Sequence, residues 1–175
     1  AASDVYKRQI MALGTSLSKK LFLNSEYILN GLEILSQVKK QNFNLVKKKI
    51  LVIGGGNVAM DVARTLKRCD NIVHIVYRRD ISNAPASKKE IDEALDEGIV
   101  FEECLAPSKC IFENNRLIGL EVEEMELIAD EMSNRKTFKK TGRYQKIDCD
   151  YIVEAVGLDA DYSYLCLLYT SDAAD

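Results

Sequence analysis

A chain of 175 residues has room for one domain, with at most pieces of a second. Its 47% apolar and 29% charged residues exclude a disordered or fibrous chain, and a net charge of −3 gives no reason to expect nucleic acid or an anionic membrane as partner. No apolar run approaches a membrane span, nothing resembles a secretory signal, and five cysteines without a CxxC pair argue against a metal or cluster site within the chain and for reduced thiols in the cytoplasm.

Residues 1–9 (AASDVYKRQ) and 166–175 (CLLYTSDAAD) read as the two strands of one translated sequencing adapter. Cys166 to Asp175 can be written TGTCTCTTATACACATCTGACGCTGCCGAC, and the opposite strand from its second base encodes Ser-Ala-Ala-Ser-Asp-Val-Tyr-Lys-Arg. The expectation is a gene fragment running from about Ile10 to Leu165. Within it, Ile10 to Ser16 reads as an apolar strand that breaks at Gly14. Asn24 and Ser25 then offer caps for a helix over roughly 27–40, with Ile28, Leu32, Leu35 and Val38 spaced for one buried face. Residues 39–48, rich in lysine and asparagine, form a connector. Strand 49–53 is almost wholly apolar, the pattern of a strand covered on both faces.

A helix from Asn57 to about Cys69 follows, with an apolar stripe of Val58, Val62, Leu66 and Cys69 and with Ala59 and Ala63 small enough to pack closely on a sheet. Strand 72–77 holds the single histidine, His74, mid-strand and read as filler. Ser87-Lys88-Lys89-Glu90 is a capping box for a helix to about Glu97 that buries Ile91, Ala94 and Leu95 and stops at Gly98. Strand 99–103 completes a βαβαβ pattern, which predicts parallel pairing. Residues 105–112 and 116–127 should then pair as an antiparallel hairpin about Glu113-Asn114-Asn115, with a bulge where the alternation slips at Glu123-Glu124. Residues 129–145 are polar and basic, a loop or a third strand of the meander. Tyr151 to Val156 is apolar and ends at Gly157. The fold class is therefore α/β, a Rossmann-type parallel sheet with an antiparallel β-meander.

The chemistry lies between residues 49 and 79. A strand runs into Gly54-Gly55-Gly56 and a helix starts at once, so glycine can bring the backbone close to a pyrophosphate while the helix aims free N–H groups and its positive end at it. Gly54, Gly56 and Ala59 match the GxGxxA fingerprint in the context that gives it meaning. Gly55, Asn57 and Val58 complete the cradle. Asn57 either caps the helix or bonds the pyrophosphate, whereas Asp61, one turn on, is structural. The next strand ends in Arg78 and Arg79, 24 residues after Gly54, where an NAD site has an acid and an NADP site an arginine. Two arginines at a strand end can be merely solvated; here they suit a 2′-phosphate by geometry and charge.

The stretches GGGNVAMDVARTLKR, VYRR and APASKKEIDEALDEG together resemble the small subunit of NADPH-dependent glutamate synthase. They are equally similar to its relatives, the flavin-containing half of dihydropyrimidine dehydrogenase and the bifurcating ferredoxin:NADP reductases. In this family an NADPH domain is inserted into an FAD domain between two glycine motifs; here Ala12-Leu13-Gly14-Thr15 resembles the first and Ala155-Val156-Gly157 the second. The resemblance implies the end of an FAD domain and a connector helix in 10–46, an NADPH domain in 47–157 with Gly157 at its border, and a return to the FAD domain in 158–165. It implies hydride transfer from NADPH to FAD and onward through iron–sulfur clusters, the clusters and most of the flavin site lying outside this chain. An electron-accepting large subunit or ferredoxin-type protein would be the partner. Ala84 stands where the family has Met before Pro85, and Leu158 where Gln often follows the glycine. No side chain is read as catalytic, because the cofactors carry the reaction. One alternative is a flavin-free NADPH-binding sensor or regulatory module. Another, a dehydrogenase acting directly on a carbonyl, lacks a Tyr-x-x-x-Lys proton donor.

Overall fold

In chain order the elements are β1 (Leu17–Ser18), β2 (Ile28–Asn30), α1 (Gly31–Lys39), β3 (Lys49–Ile53), α2 (Asn57–Arg68), β4 (Ile72–Tyr77), a 3-10 turn (Ile81–Asn83), α3 (Lys88–Asp96), β5 (Val100–Glu103), β6 (Leu105–Glu113), β7 (Arg116–Ala129), β8 (Lys136–Ile147), β9 (Tyr151–Glu154) and β10 (Leu158–Asp159). The computed structural model describes residues 17–18, 21–22, 25–129 and 136–159. The expected strand 10–16, both adapter-like ends, Asn24 and the first glycine motif at residues 12–15 lie outside them. The chain divides into two compact units, 18–157 and 1–17 with 158–175. β1 and β10 pair as a separate two-stranded sheet; the elements from β2 to β9 belong to the larger unit.

Its centre is a five-stranded parallel sheet in the order β2-β9-β3-β4-β5. The predicted βαβαβ run supplies three adjacent strands, and β9 enters on the other side of β3. Every residue of β3 after Lys49 is buried because the sheet is covered on both faces. Ile50 and Val52 point into a core with Val73, Ile75, Val153 and the helices, whereas Leu51, Ile53, Val76 and Ile152 meet Leu105, Leu117, Leu120 and Val122 of the meander. The second layer is the antiparallel sheet β6-β7-β8, so residues 136–147 are the third meander strand. The hairpin turns on Asn114 (φ 47°) and Asn115 (φ 62°), which asparagine tolerates better than most residues. The slip at Glu123-Glu124 is present, but the extra residues lie on the partner strand: Glu123 faces Tyr144 and Met125 faces Lys140. Val122 and Glu123 are consequently both buried, and Glu123 accepts from Lys140 Nζ (2.9 Å) and from the Gly142 N–H (3.2 Å).

Three local expectations are corrected. The first helix begins at Gly31, with Asn30 as its cap, accepting from the N–H groups of Leu32 (2.9 Å) and Glu33 (3.3 Å). Residues 28–30 instead pair with Ile152–Glu154. A ladder of inter-strand bonds outweighs a helical spacing that Ile28 shares only by coincidence, and the buried face is Gly31 and Ile34, with Leu35 and Val38 packed beside it. Leu95 is 44% exposed: α3 has only nine residues, and Ile91 and Ala94 fill its contact with the sheet. The capping box is half made. Ser87 Oγ accepts from the Glu90 N–H (3.3 Å), but the Ser87 N–H is taken by Asn57 Oδ1 (3.2 Å), so Glu90 does not reach back.

Helices α2 and α3 are fastened by charge. Glu97 Oε1 accepts from Arg64 Nη2 (2.8 Å) and Arg68 Nη2 (2.6 Å), and Arg64 Nη1 also meets Glu93 (2.6 Å). Arg64, with Arg68 helping, holds the Glu97 carboxyl below the usual carboxylate range despite some desolvation. His74 pairs through Nδ1 with Glu102 (2.8 Å) within the sheet.

Candidate functional site

β3 ends at Ile53 and the backbone turns at Gly54 with φ 141°, a region closed to side chains. A β-carbon there would lie 2.3 Å from the Ala155 carbonyl oxygen, because β9 passes directly alongside. At Gly55 it would lie 2.6 Å from the Tyr77 ring, so Tyr77, at the end of β4, packs against the turn from the other side. Gly56 differs. Its φ of −94° is open to any residue, and only Pro85 Cγ, at 3.9 Å, comes near. The first two glycines are thus explained by packing; the third, at the start of a helix, has room for a β-carbon.

Gly56 is the N-cap of α2 and offers no side-chain acceptor, which leaves the first-turn N–H groups and the positive end of a twelve-residue helix without a capping side chain. Ala59 is fully buried against the sheet and Val58 packs beside the core. Asn57 is the first helical residue, not the cap, and its Oδ1 holds the Ser87 N–H (3.2 Å). The Ala86 N–H donates to the Gly55 carbonyl (3.1 Å). Together these bonds lash the 80–87 loop to the glycine turn.

Arg78 and Arg79 follow β4 immediately. Because Ile53 pairs with Val76, they emerge at the same edge of the sheet as the glycine turn, and both are exposed. Among the described residues neither takes part in an ion pair. The Arg79 carbonyl accepts from the Cys104 N–H (3.1 Å), and Cys104 sits at φ 55° where the chain leaves the parallel sheet for the meander. Gly157 (φ 107°) lies two residues past Ala155, exposed, with nothing within 4 Å of a built β-carbon. The fold therefore brings Gly54 to Ala59, Arg78, Arg79 and Gly157 to the carboxyl ends of three adjacent strands, where open α/β sheets hold their ligands.

Sequence reasoning missed the packing of Tyr77 and Ala155 on the glycine turn and the turn at Asp80–Asn83. The last had a signal, since Asp-Ile-Ser-Asn is a stretch that bonds its own backbone. A cleft of about 500 Å³ lies at the opposite end of the sheet, bordered by Lys49, Arg116, Cys149 and Asp150. It contains none of the predicted site residues. Burial pushes the thiol of Cys149 up to about 12, the environment of a packing cysteine.

The sequence profile of the pyridine nucleotide-disulphide oxidoreductases matches residues 2–166. The chain belongs to that family. Among its relatives in the family is the NADP(+)-dependent formate dehydrogenase subunit beta of Moorella thermoacetica, 35% identical over 124 residues, covering 70% of this chain and 18% of that one. The NADPH-Fe(3+) oxidoreductase subunit beta of Geobacter sulfurreducens is 29% identical over 164 residues, 89% of this chain and 24% of the relative. The glutamate synthase [NADPH] small chain of Azospirillum brasilense is 27% identical over 168 residues, 91% and 34%. This chain thus spans no more than about a third of these three family members. In three dimensions it resembles FprA of Mycobacterium tuberculosis (TM-score 0.66, 19% identity, 84% of this chain and 49% of that one). It also resembles the thioredoxin reductase of Lactococcus lactis (TM-score 0.58, 22% identity, 87% and 47%). These structural likenesses bear out the expected fold, a parallel sheet with helices and an antiparallel sheet.

Proposed function

We propose that this chain carries the NADPH-binding domain of a flavin-dependent electron-transfer oxidoreductase of the glutamate synthase small chain kind. The observation that carries it is the open face at Gly56, above an uncapped helix start, at the same sheet edge as two arginines without ion pairs among the described residues. A pyrophosphate fits there: its charge meets the helix end and the backbone can be approached closely. The names of three relatives, each specifying NADP or NADPH, agree with it.

In this reading Gly54, Gly55, Gly56, Asn57, Val58 and Ala59 form the phosphate cradle, with Asn57 acting by holding Ser87 and thereby the loop above the turn. Arg78 and Arg79 take the 2′-phosphate. Gly157 marks the return from the nucleotide domain, which occupies 47–157, to a flavin domain represented here by 10–46 and 158–165. The bound nucleotide would supply a hydride for FAD held largely elsewhere in the longer protein, with iron–sulfur clusters of that protein or of a partner subunit beyond it. This chain's residues orient; none is assigned a proton to move. Relatives named as a beta subunit and a small chain support an electron-accepting partner subunit.

The test is calorimetric titration of the whole 175-residue chain with NADPH, NADH and 2′,5′-ADP. NADPH should bind more tightly than NADH. Changing Arg78 and Arg79 together to Ala should remove most of the difference, since each charge-assisted contact contributes about 1.5–3 kcal/mol. Equal affinity for the two nucleotides in the unmutated protein refutes the assignment.

A further inference from the structure

Residues of opposite charge follow one another at the carboxyl end of β4. Asp80 follows the two arginines directly, and Glu103, at the end of β5, is paired across from Tyr77. In NAD-selective sites an acid about 20 residues past the first glycine binds the ribose 2′-hydroxyl. Asp80 stands close to that place, 26 residues after Gly54. A loose carboxylate here would neutralise an arginine, repel a 2′-phosphate or favour the unphosphorylated ribose.

Each acid is held through one of its oxygens. Asp80 Oδ1 accepts from Ser82 Oγ (2.6 Å), Asn83 Nδ2 (2.7 Å) and the Asn83 N–H (3.0 Å). Glu103 Oε2 accepts from the Ile81 N–H. The donors all belong to the 3-10 turn 81–83, which is itself secured by the Tyr77 hydroxyl donating to the Asn83 carbonyl (2.9 Å). The bonds from Ser82 and then Asn83 hold the Asp80 carboxyl below the usual range, so at neutral pH it is an anion, restrained on one oxygen by three donors.

We propose that the turn Asp80–Asn83 is a nucleotide-selectivity device. Ser82 and Asn83 bind up the one carboxylate placed to select NAD, and so leave Arg78 and Arg79 unopposed for a 2′-phosphate. Asp80 is on this view a specificity residue by being withheld. The inference rests on the NADP assignment above, and the experiment separates the two.

In the full chain, NADPH and NADH affinities are measured for the parent, for Ser82→Ala/Asn83→Ala, and for that double variant with Asp80→Asn added. Releasing Asp80 should lower the NADPH-to-NADH affinity ratio roughly tenfold, equivalent to 1.4 kcal/mol. Removing its charge on the same background should restore the ratio, which a merely loosened loop would not do. Ser82→Ala alone, at an exposed position, should move the ratio the same way by less, and serves if the double variant does not fold. A folded double variant with the parent's ratio overturns the proposal; so does a fall that Asp80→Asn leaves in place. A parent without preference, or one whose preference survives Arg78→Ala/Arg79→Ala, overturns the NADP assignment itself and this inference with it.

Discussion

Replacing Gly54 and Gly56 by alanine, one at a time, should have opposite consequences, although the two stand two residues apart in one motif. At Gly54 the added methyl group meets a backbone carbonyl at 2.3 Å and its carbon at 2.9 Å, and φ is 141°. Strain in that region costs about 1–3 kcal/mol, and overpacking against atoms that cannot rotate away about 1–3 kcal/mol more. The sum, roughly 2–6 kcal/mol, is a large share of the 5–15 kcal/mol that typically holds a domain together. At Gly56 the nearest atom is 3.9 Å away and φ is ordinary. Losing a glycine cap costs up to about 1 kcal/mol, and stiffening the unfolded chain returns about 0.4–1 kcal/mol, so stability should hardly move. On the proposed reading, however, the methyl group would stand where a pyrophosphate would lie. Urea denaturation and nucleotide titration of both variants check this: Gly54→Ala unfolds at much lower urea, whereas Gly56→Ala keeps the parent's midpoint and loses NADPH affinity at least about tenfold. A Gly56→Ala protein that binds NADPH like its parent would show that no phosphate sits over the turn.

Leu66→Ala, at a position fully buried under the parallel sheet, should cost about 2–5 kcal/mol, read from the urea midpoint. Cys149 and Cys110, whose thiols burial pushes up to about 12 and about 11, should be alkylated at pH 8 far more slowly in the native protein than in urea. Mass spectrometry of the labelled peptides would expose equal rates, which the packing forbids. Glu97 has its folded pKa lowered by Arg64 and Arg68, so its contribution is present above the unfolded value near 4.5 and is lost as pH falls through the folded one. Glu97→Gln should lower the urea midpoint at neutral pH and flatten its decline on acidification below about 4.5. A variant as acid-sensitive as the parent would show that the α2–α3 clamp has no such role.

The glycine turn, its flanking strands and the meander were legible because each is written in neighbouring residues: an apolar run, a breaker, a periodic helix, two asparagines between alternating strands. What escaped depends on distant partners. Nothing near Ile28 announces that Ile152 lies beside it, so helical spacing prevailed on paper and strand pairing in the fold. Met60, fully buried, falls outside the stripe drawn through Val58, Val62 and Leu66, because a helix against a broad sheet buries more than one row. Glu154 falls inside the stretch 151–156 that reads simply as apolar, yet its carboxylate accepts from the N–H groups of Leu21 (2.8 Å) and Phe22 (2.9 Å). At the site, Gly54 and Arg78 could be placed by spacing. The occupation of Asn57 by Ser87, 30 residues on, could not.

The position of β9 between β2 and β3 has a consequence for biogenesis. A nascent chain completes β3 and the bend after it long before it holds the strand that closes them; the bond from the Lys49 N–H to Asp150 alone spans 101 residues. At about 5–20 residues per second, the ribosome takes roughly 5–20 s to deliver it. During that interval β3 offers a bare apolar edge to any passing strand, so translational pausing before Tyr151 should favour aggregation or chaperone capture.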